Sequence, residues 1–102
     1  SSAAAIYTNA AAETSFVKSI ILHNGNTTAE TVKIYVVPDS GGSVGTAGVS
    51  NILYNISVAA DSTIHLEFPG PGIVLKGTND TVQAVTDTAS KVTYWLSVRI
   101  DT

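Results

Sequence analysis

Val92-Thr93-Tyr94-Trp95-Leu96-Ser97-Val98-Arg99-Ile100-Asp101 alternates side-chain character along its whole length. Successive side chains of a strand point to opposite faces, so Val92, Tyr94, Leu96, Val98 and Ile100 share a buried face. Thr93, Trp95, Ser97, Arg99 and Asp101 take the other face, where Trp95 is the one large apolar residue. Upstream, Thr81–Thr86 reads as a strand, and Ile73–Lys76 as a short one after the rigid bend Pro69-Gly70-Pro71-Gly72. Thr63–Phe68 buries Ile64, Leu66 and Phe68 in the same pattern, and Ile52–Val58 turns Ile52, Tyr54, Ile56 and Val58 inward. Thr31–Val37 places Val32, Ile34 and Val36 inside and Thr31, Lys33, Tyr35 and Val37 outside, and Pro38 ends it because proline cannot donate to a ladder. Between these last two strands Asp39–Ser50 holds four glycines in twelve residues and is the longest loop.

The N-terminal third follows suit. Ser15–His23 carries Phe16, Ile20 and Leu22 on one side and Val17 and Ile21 on the other, and Asn24-Gly25-Asn26 closes it with residues that tolerate positive φ. Ala4–Thr8 makes an opening strand. Val, Ile and Thr supply 34 of 102 residues, types that suit a pleated surface, and no window sustains a helical stripe. About eight short strands in one small chain predict an all-β fold, an antiparallel β-sandwich in jelly-roll-like order, with an immunoglobulin-like order as the alternative. Residues 1–14 are expected to form an N-terminal arm carrying the first short strand, and residues 15–102 the sandwich.

Composition removes several functions. There is no cysteine, so no disulfide framework or thiolate metal site is available. Five Lys/Arg against eight Asp/Glu give a net charge of −3 with no basic run, which argues against nucleic acid as a partner. Only 13% of residues are charged, while Ser and Thr supply 24, a balance common on extracellular and virion β-proteins. No apolar run approaches the roughly 20 residues of a membrane span, so no membrane partner is expected. Methionine is absent, so the start is expected to be processed or cut from a longer chain.

The chemical motifs are sparse. Gly41-Gly42-Ser43-Val44-Gly45 matches G-x-S-x-G, but that elbow needs a strained strand-to-helix turn under a large parallel sheet, and no helical pattern follows. His65 and Glu67, two apart on one strand face, would need His23 to make a zinc site, and their spacing matches no ligand pattern. Polar residues on a solvated face explain them as well. Asn26-Thr27-Thr28, Asn55-Ile56-Ser57 and Asn79-Asp80-Thr81 are formal glycosylation sequons of a kind that arises by chance in such a composition. No catalytic residue, metal or cofactor is expected. The outward apolar set Tyr35, Val37, Val85 and Trp95 is the strongest functional signal. If these side chains meet across strands they form an association surface, joined by Ala3, Ala4 and Ala5 of the arm; alternatively the long loop or the N-terminal segment covers them.

Val17-Lys18-Ser19-Ile20-Ile21-Leu22-His23-Asn24, followed by Thr27–Pro38 with its Thr31-Val32-Lys33-Ile34-Tyr35-Val36-Val37-Pro38, resembles small virion proteins of tailed bacteriophages. Ile56–Thr63, Pro71–Leu75 and Asp80–Val85 continue the likeness, which covers residues 15–100. The resemblance implies a β-sandwich that decorates heads or attaches to tails, often as a trimer, and it carries no catalytic residues. The expected function is therefore a non-enzymatic structural protein of the virion, a capsid decoration or cement protein. Its expected partners are itself, as a homotrimer, and the major capsid protein or another virion protein. Its expected place is the capsid surface or tail after assembly in the bacterial cytoplasm. The alternative is a tail-associated or receptor- and carbohydrate-binding module; a hydrolase would rest on the Ser43 motif alone.

Overall fold

The structure, a computed structural model, describes residues 2–102; Ser1, the first residue of the expected arm, lies outside them. Eight strands follow in order: β1 (Ala4–Thr8), β2 (Thr14–Asn24), β3 (Glu30–Val37), β4 (Ile52–Val58), β5 (Ser62–Glu67), β6 (Ile73–Leu75), β7 (Thr81–Thr86) and β8 (Val92–Asp101). They form two antiparallel four-stranded sheets packed as a sandwich. Sheet A has the order β1-β7-β3-β4; in sheet B, β2 is central, with β8 along one side and β5 and β6 end to end along the other. The links β3–β4 and β5–β6 stay within a sheet and the other five cross between sheets. The first strand pairs with β7 rather than with the second strand, which sets this order apart from the immunoglobulin alternative. Residues 4–8 of the expected arm are thereby hydrogen-bonded into sheet A.

The core forms where the inward faces meet: Val17, Ile20 and Leu22 of β2, Val32 and Ile34 of β3, Val58, Leu75, Val82 and Ala84. Ile56, Leu66, Leu96 and Val98 face inward as the alternation predicts, but each is only partly buried, because their strands lie at sheet edges. Polar residues close both ends of β2's inward row. At one end Ser15 donates to Asn9 Oδ1 (2.5 Å), bonds the Tyr7 hydroxyl (2.7 Å), and Asn9 in turn donates to the carbonyls of Glu13 and Gly77. At the other, Asn24 donates to the carbonyls of Thr28 and Val58, both at 3.0 Å. Each is fully buried, and each is paired, so neither incurs the penalty of a lone buried polar group.

Two bulges alter the faces that strict alternation predicts. Val17 pairs with Val98 and Ser19 with Ser97, so Lys18 is an extra residue on β2. A bulge shifts the period-two pattern by one, which puts Val17 inside with Ile20 and Leu22 and turns Phe16 and Ile21 outward. The expectation that Phe16 joins Ile20 and Leu22 is corrected on this ground. On β4, Ile34 pairs with Tyr54 but Tyr35 with Ile52, leaving Leu53 unopposed. Ile52 therefore faces outward beside Tyr35, not inward as expected.

Leu22 and Leu96 separate the two environments. Leu22→Ala, at a fully buried site, is expected to cost about 2–5 kcal/mol, and Leu96→Ala, at the partly buried edge, about half of that. Urea denaturation of both variants checks this; equal losses would contradict the placement of β8 at the edge.

Candidate functional site

Tyr35 and Val37 sit on the outer face of sheet A, in rows with Gln83 and Thr81 of β7. That face is not free. The segment from Pro38 to Asn51 folds back over it and leaves Tyr35 only 9% and Val37 only 2% exposed. Gln83 donates from Nε2 to the Gly45 carbonyl (2.9 Å) and to Thr81 Oγ1 (2.9 Å), and Thr81 donates to the Val37 carbonyl (3.3 Å). Gly45 is required at the crossing, since a Cβ there would lie 2.6 Å from the Pro38 oxygen and 3.0 Å from Val37 Cγ1. Tyr35 and Val37 thus lie on the outer face, as the alternation predicts, and the chain's own loop covers them, the alternative that the sequence left open.

The remaining members divide between two surfaces. Ala3, Ala4, Ala5, Tyr35 and Val85 line one groove of about 500 Å3 between β1 and the loop, with Gly45 on its far wall. Trp95 lies on the other sheet. It is 72% exposed and sits in a row across sheet B with Ile21 and His65. The rows beside it are Thr63-His23-Thr93 and Glu67-Ser19-Ser97, and further along Arg99 lies over the Phe16 ring at 4.4 Å. The seven residues therefore do not form one patch. The loop and β4 edge also expose Val49 (90%) and Leu53 (45%), which alternation does not single out because neither lies in a regular strand pattern.

Ser43 occupies a hairpin tip. Ser40 and Ser43 exchange backbone hydrogen bonds at 2.7 and 3.1 Å around Gly41 and Gly42, both with positive φ, the backbone of a two-residue primed turn. Both histidines lie on the opposite sheet, in β2 and β5. His23 bonds Thr63 Oγ1 (2.9 Å) and approaches Asp61 (3.6 Å), while His65 approaches Glu67 (3.7 Å). Among the described residues, no three His, Asp or Glu side chains come together. Of the sequon asparagines, Asn26 donates to Glu30 and Asn79 to the Gly42 carbonyl.

The one strongly placed charge is structural. Glu30, 2% exposed, accepts from Asn26 Nδ2 and from the Thr88 backbone N–H, both at 2.9 Å, tying the start of β3 to the turn before β8. The Thr88 amide, then the Asn26 amide, hold its carboxyl below the ordinary value of 4.5. Burial pushes the Tyr94 phenol up, and the nearby Glu30 charge adds to it. No protein-family model, no curated protein and no solved structure matches this chain.

Two outcomes follow from this geometry. Gly45→Ala is expected to lift the loop from Val37, so that hydrophobic-dye binding and proteolysis within residues 39–51 both rise; unchanged values would show that the loop does not hold the face closed. Glu30→Gln sets an amide against the Asn26 amide, whose own Oδ1 is held by Thr27 N–H. A depressed carboxyl stabilises fully above its unfolded value of 4.5 and loses that contribution as pH falls through the lower folded value. The melting-temperature gap between wild type and Glu30→Gln should therefore be full at pH 7 and narrow steadily below 4.5. A gap independent of pH would contradict the assignment.

Proposed function

We propose that this chain is a non-enzymatic structural protein of a bacteriophage virion, a decoration or cement protein that stabilises the head through contacts with copies of itself and with the major capsid protein. The observation that carries the reading is Trp95, a large rigid aromatic standing 72% exposed on an ordered strand of a charge-poor sandwich. Exposed aromatics of this kind anchor association surfaces, because they bury much area with few rotamers to fix. Low charge supports it further: a chain of net charge −3 offers little repulsion between neighbours packed on a shell. The likeness of residues 15–100 to phage virion proteins supplies the context, and the capsid surface of a particle assembled in the bacterial cytoplasm is the proposed place.

One observation favours a second reading. Thr93 and Ser97 on its own strand and Ser19 and His23 on β2 flank Trp95 with hydrogen-bonding side chains, the setting in which an aromatic face stacks on a sugar ring. A tail-borne receptor- or carbohydrate-binding module would use that surface.

Copy number in purified particles separates the two. Quantitative mass spectrometry should find the chain in hundreds of copies per particle if it decorates the head; a few copies would favour the tail module, and none would refute a virion role. Trp95→Asp should abolish attachment while circular dichroism keeps the β signature, since the side chain points away from the core. Retained attachment would remove Trp95 from the contact.

A further inference from the structure

The sandwich has four sheet edges, and three of them carry features that oppose strand addition. An edge strand presents unpaired N–H and C=O groups to any other chain, and proteins blunt that hazard with short strands, bulges, proline or charge. β1 is five residues long and bulged at Ile6, since Ala5 pairs with Gln83 and Tyr7 with Val82. β4 is bulged at Leu53. The third edge is broken between β5 and β6 by Pro69-Gly70-Pro71-Gly72, which loops out opposite Lys18 of β2. β8 has none of these. It is ten residues long, without proline or glycine, and the irregularity in its ladder lies on β2, so β8 itself runs unbroken. Its only charges, Arg99 and Asp101, lie near its C-terminal end. Among the described residues, no strand pairs with its second edge.

From this contrast we infer that β8 is a strand-addition edge whose occupant is β8 of a second copy, paired antiparallel about a two-fold axis at Ser97. The sequence of β8 is self-complementary in that register. Trp95 of one copy faces Arg99 of the other, extending the Val74-Phe16-Arg99 row with a second aromatic ring beside the guanidinium. Thr93 faces Asp101, a hydroxyl against a carboxylate. On the inner side Leu96 faces Val98 and Tyr94 faces Ile100, so the two cores become continuous. The pairing covers Trp95 and Ile100, the two large apolar residues that β8 exposes at 72% and 47%. An axis at Arg99 would instead set two guanidiniums side by side, and an axis at Trp95 would leave Ile100 unpaired. A two-fold contact uses each copy's one open edge and therefore closes on itself without forming a fibre. The inference stands apart from the virion role, because any solution of this chain should show it.

The test uses the full chain and its lack of cysteine. Wild type should sediment at about twice the 10.5 kDa of one chain as concentration rises. Amide exchange in β8 should slow over the same range, while β1, β4 and β5 are unchanged. Ser97→Cys should cross-link to a disulfide dimer under mild oxidation, since opposed residues of antiparallel strands lie about 4.5–5.5 Å apart at Cα. Thr93→Cys, also exposed, should not, because the two copies of residue 93 would lie about 27 Å apart, eight strand positions. Ser97→Lys should return the protein to a monomer with its melting temperature at high dilution unaltered. A wild-type monomer at every concentration overturns the proposal, as does a dimer whose β8 amides exchange at the monomer's rate, or Thr93→Cys cross-linking as readily as Ser97→Cys.

Discussion

Every other strand of sheet B is hydrogen-bonded to β2 and, among the described residues, to no further strand. Half of the sandwich therefore depends on one eleven-residue segment keeping its register on both sides at once. Its inward row is Ser15, Val17, Ile20, Leu22 and Asn24, apolar in the middle and polar at both ends. The three central side chains are this strand's share of the core. The two polar ends bind the turns around them, so the core is closed at each end by hydrogen bonds rather than by disulfides. Asn9 and Glu30 extend these closures to neighbouring segments, and every buried side-chain polar atom among the described residues has a partner. Such networks stabilise little when counted bond by bond, yet losing one partner leaves a buried group unsatisfied.

The bulge at Lys18 and the break between β5 and β6 belong to one local arrangement. Phe68 donates its backbone N–H to the Lys18 carbonyl (3.1 Å), the Pro-Gly-Pro-Gly excursion begins at the next residue, and the Lys18 ammonium reaches back to the Gly70 carbonyl (2.5 Å). Gly72, with φ of +80°, lets the returning chain pass so close that a Cβ would meet the Val17 oxygen at 2.2 Å. The extra residue of β2 and the looped-out residues of its neighbour thus sit side by side. Ladder pairing resumes beyond them with Val17 opposite Ile73.

This arrangement also explains what the sequence discloses and what it conceals. β8, free of bulges, has the faces that its alternation predicts from Val92 to Arg99, whereas Ile100, expected to be buried, stands 47% exposed past the end of the core. Phe16 and Ile52 do not, because one inserted residue inverts every face beyond it while leaving composition and apolar content unchanged. Lys18 carries no mark that distinguishes a bulged residue from an ordinary outward lysine. The candidate surface divides in the same way. Trp95 is legible because its exposure follows from local alternation alone. Covering Tyr35 and Val37 depends on where a glycine-rich loop docks after leaving Pro38, a long-range event decided by Gly45, Gln83 and Thr81 together. No strand-level pattern encodes that contact.

Placing the irregularity on β2 has a consequence for the edge. An antiparallel ladder of ten pairs that must absorb one extra residue can place the bulge on either strand. On the edge strand it would twist the free side and discourage pairing, which is the usual protection. Here the central strand carries it, next to a neighbour already interrupted at the same point, and the outer strand stays free of bulges. Sheet A shows the opposite choice: both of its bulges, at Ile6 and Leu53, lie on edge strands, and the chain's own loop covers the Tyr35 and Val37 end of its outer face. The protein therefore protects both edges and part of the outer face of sheet A, and leaves β8 of sheet B unbulged, uncovered and marked by a tryptophan. Exposing Trp95 has no part in holding the core, since covering it would leave the Val17-Ile20-Leu22 row untouched. It is accounted for if sheet B is the surface through which the molecule meets another.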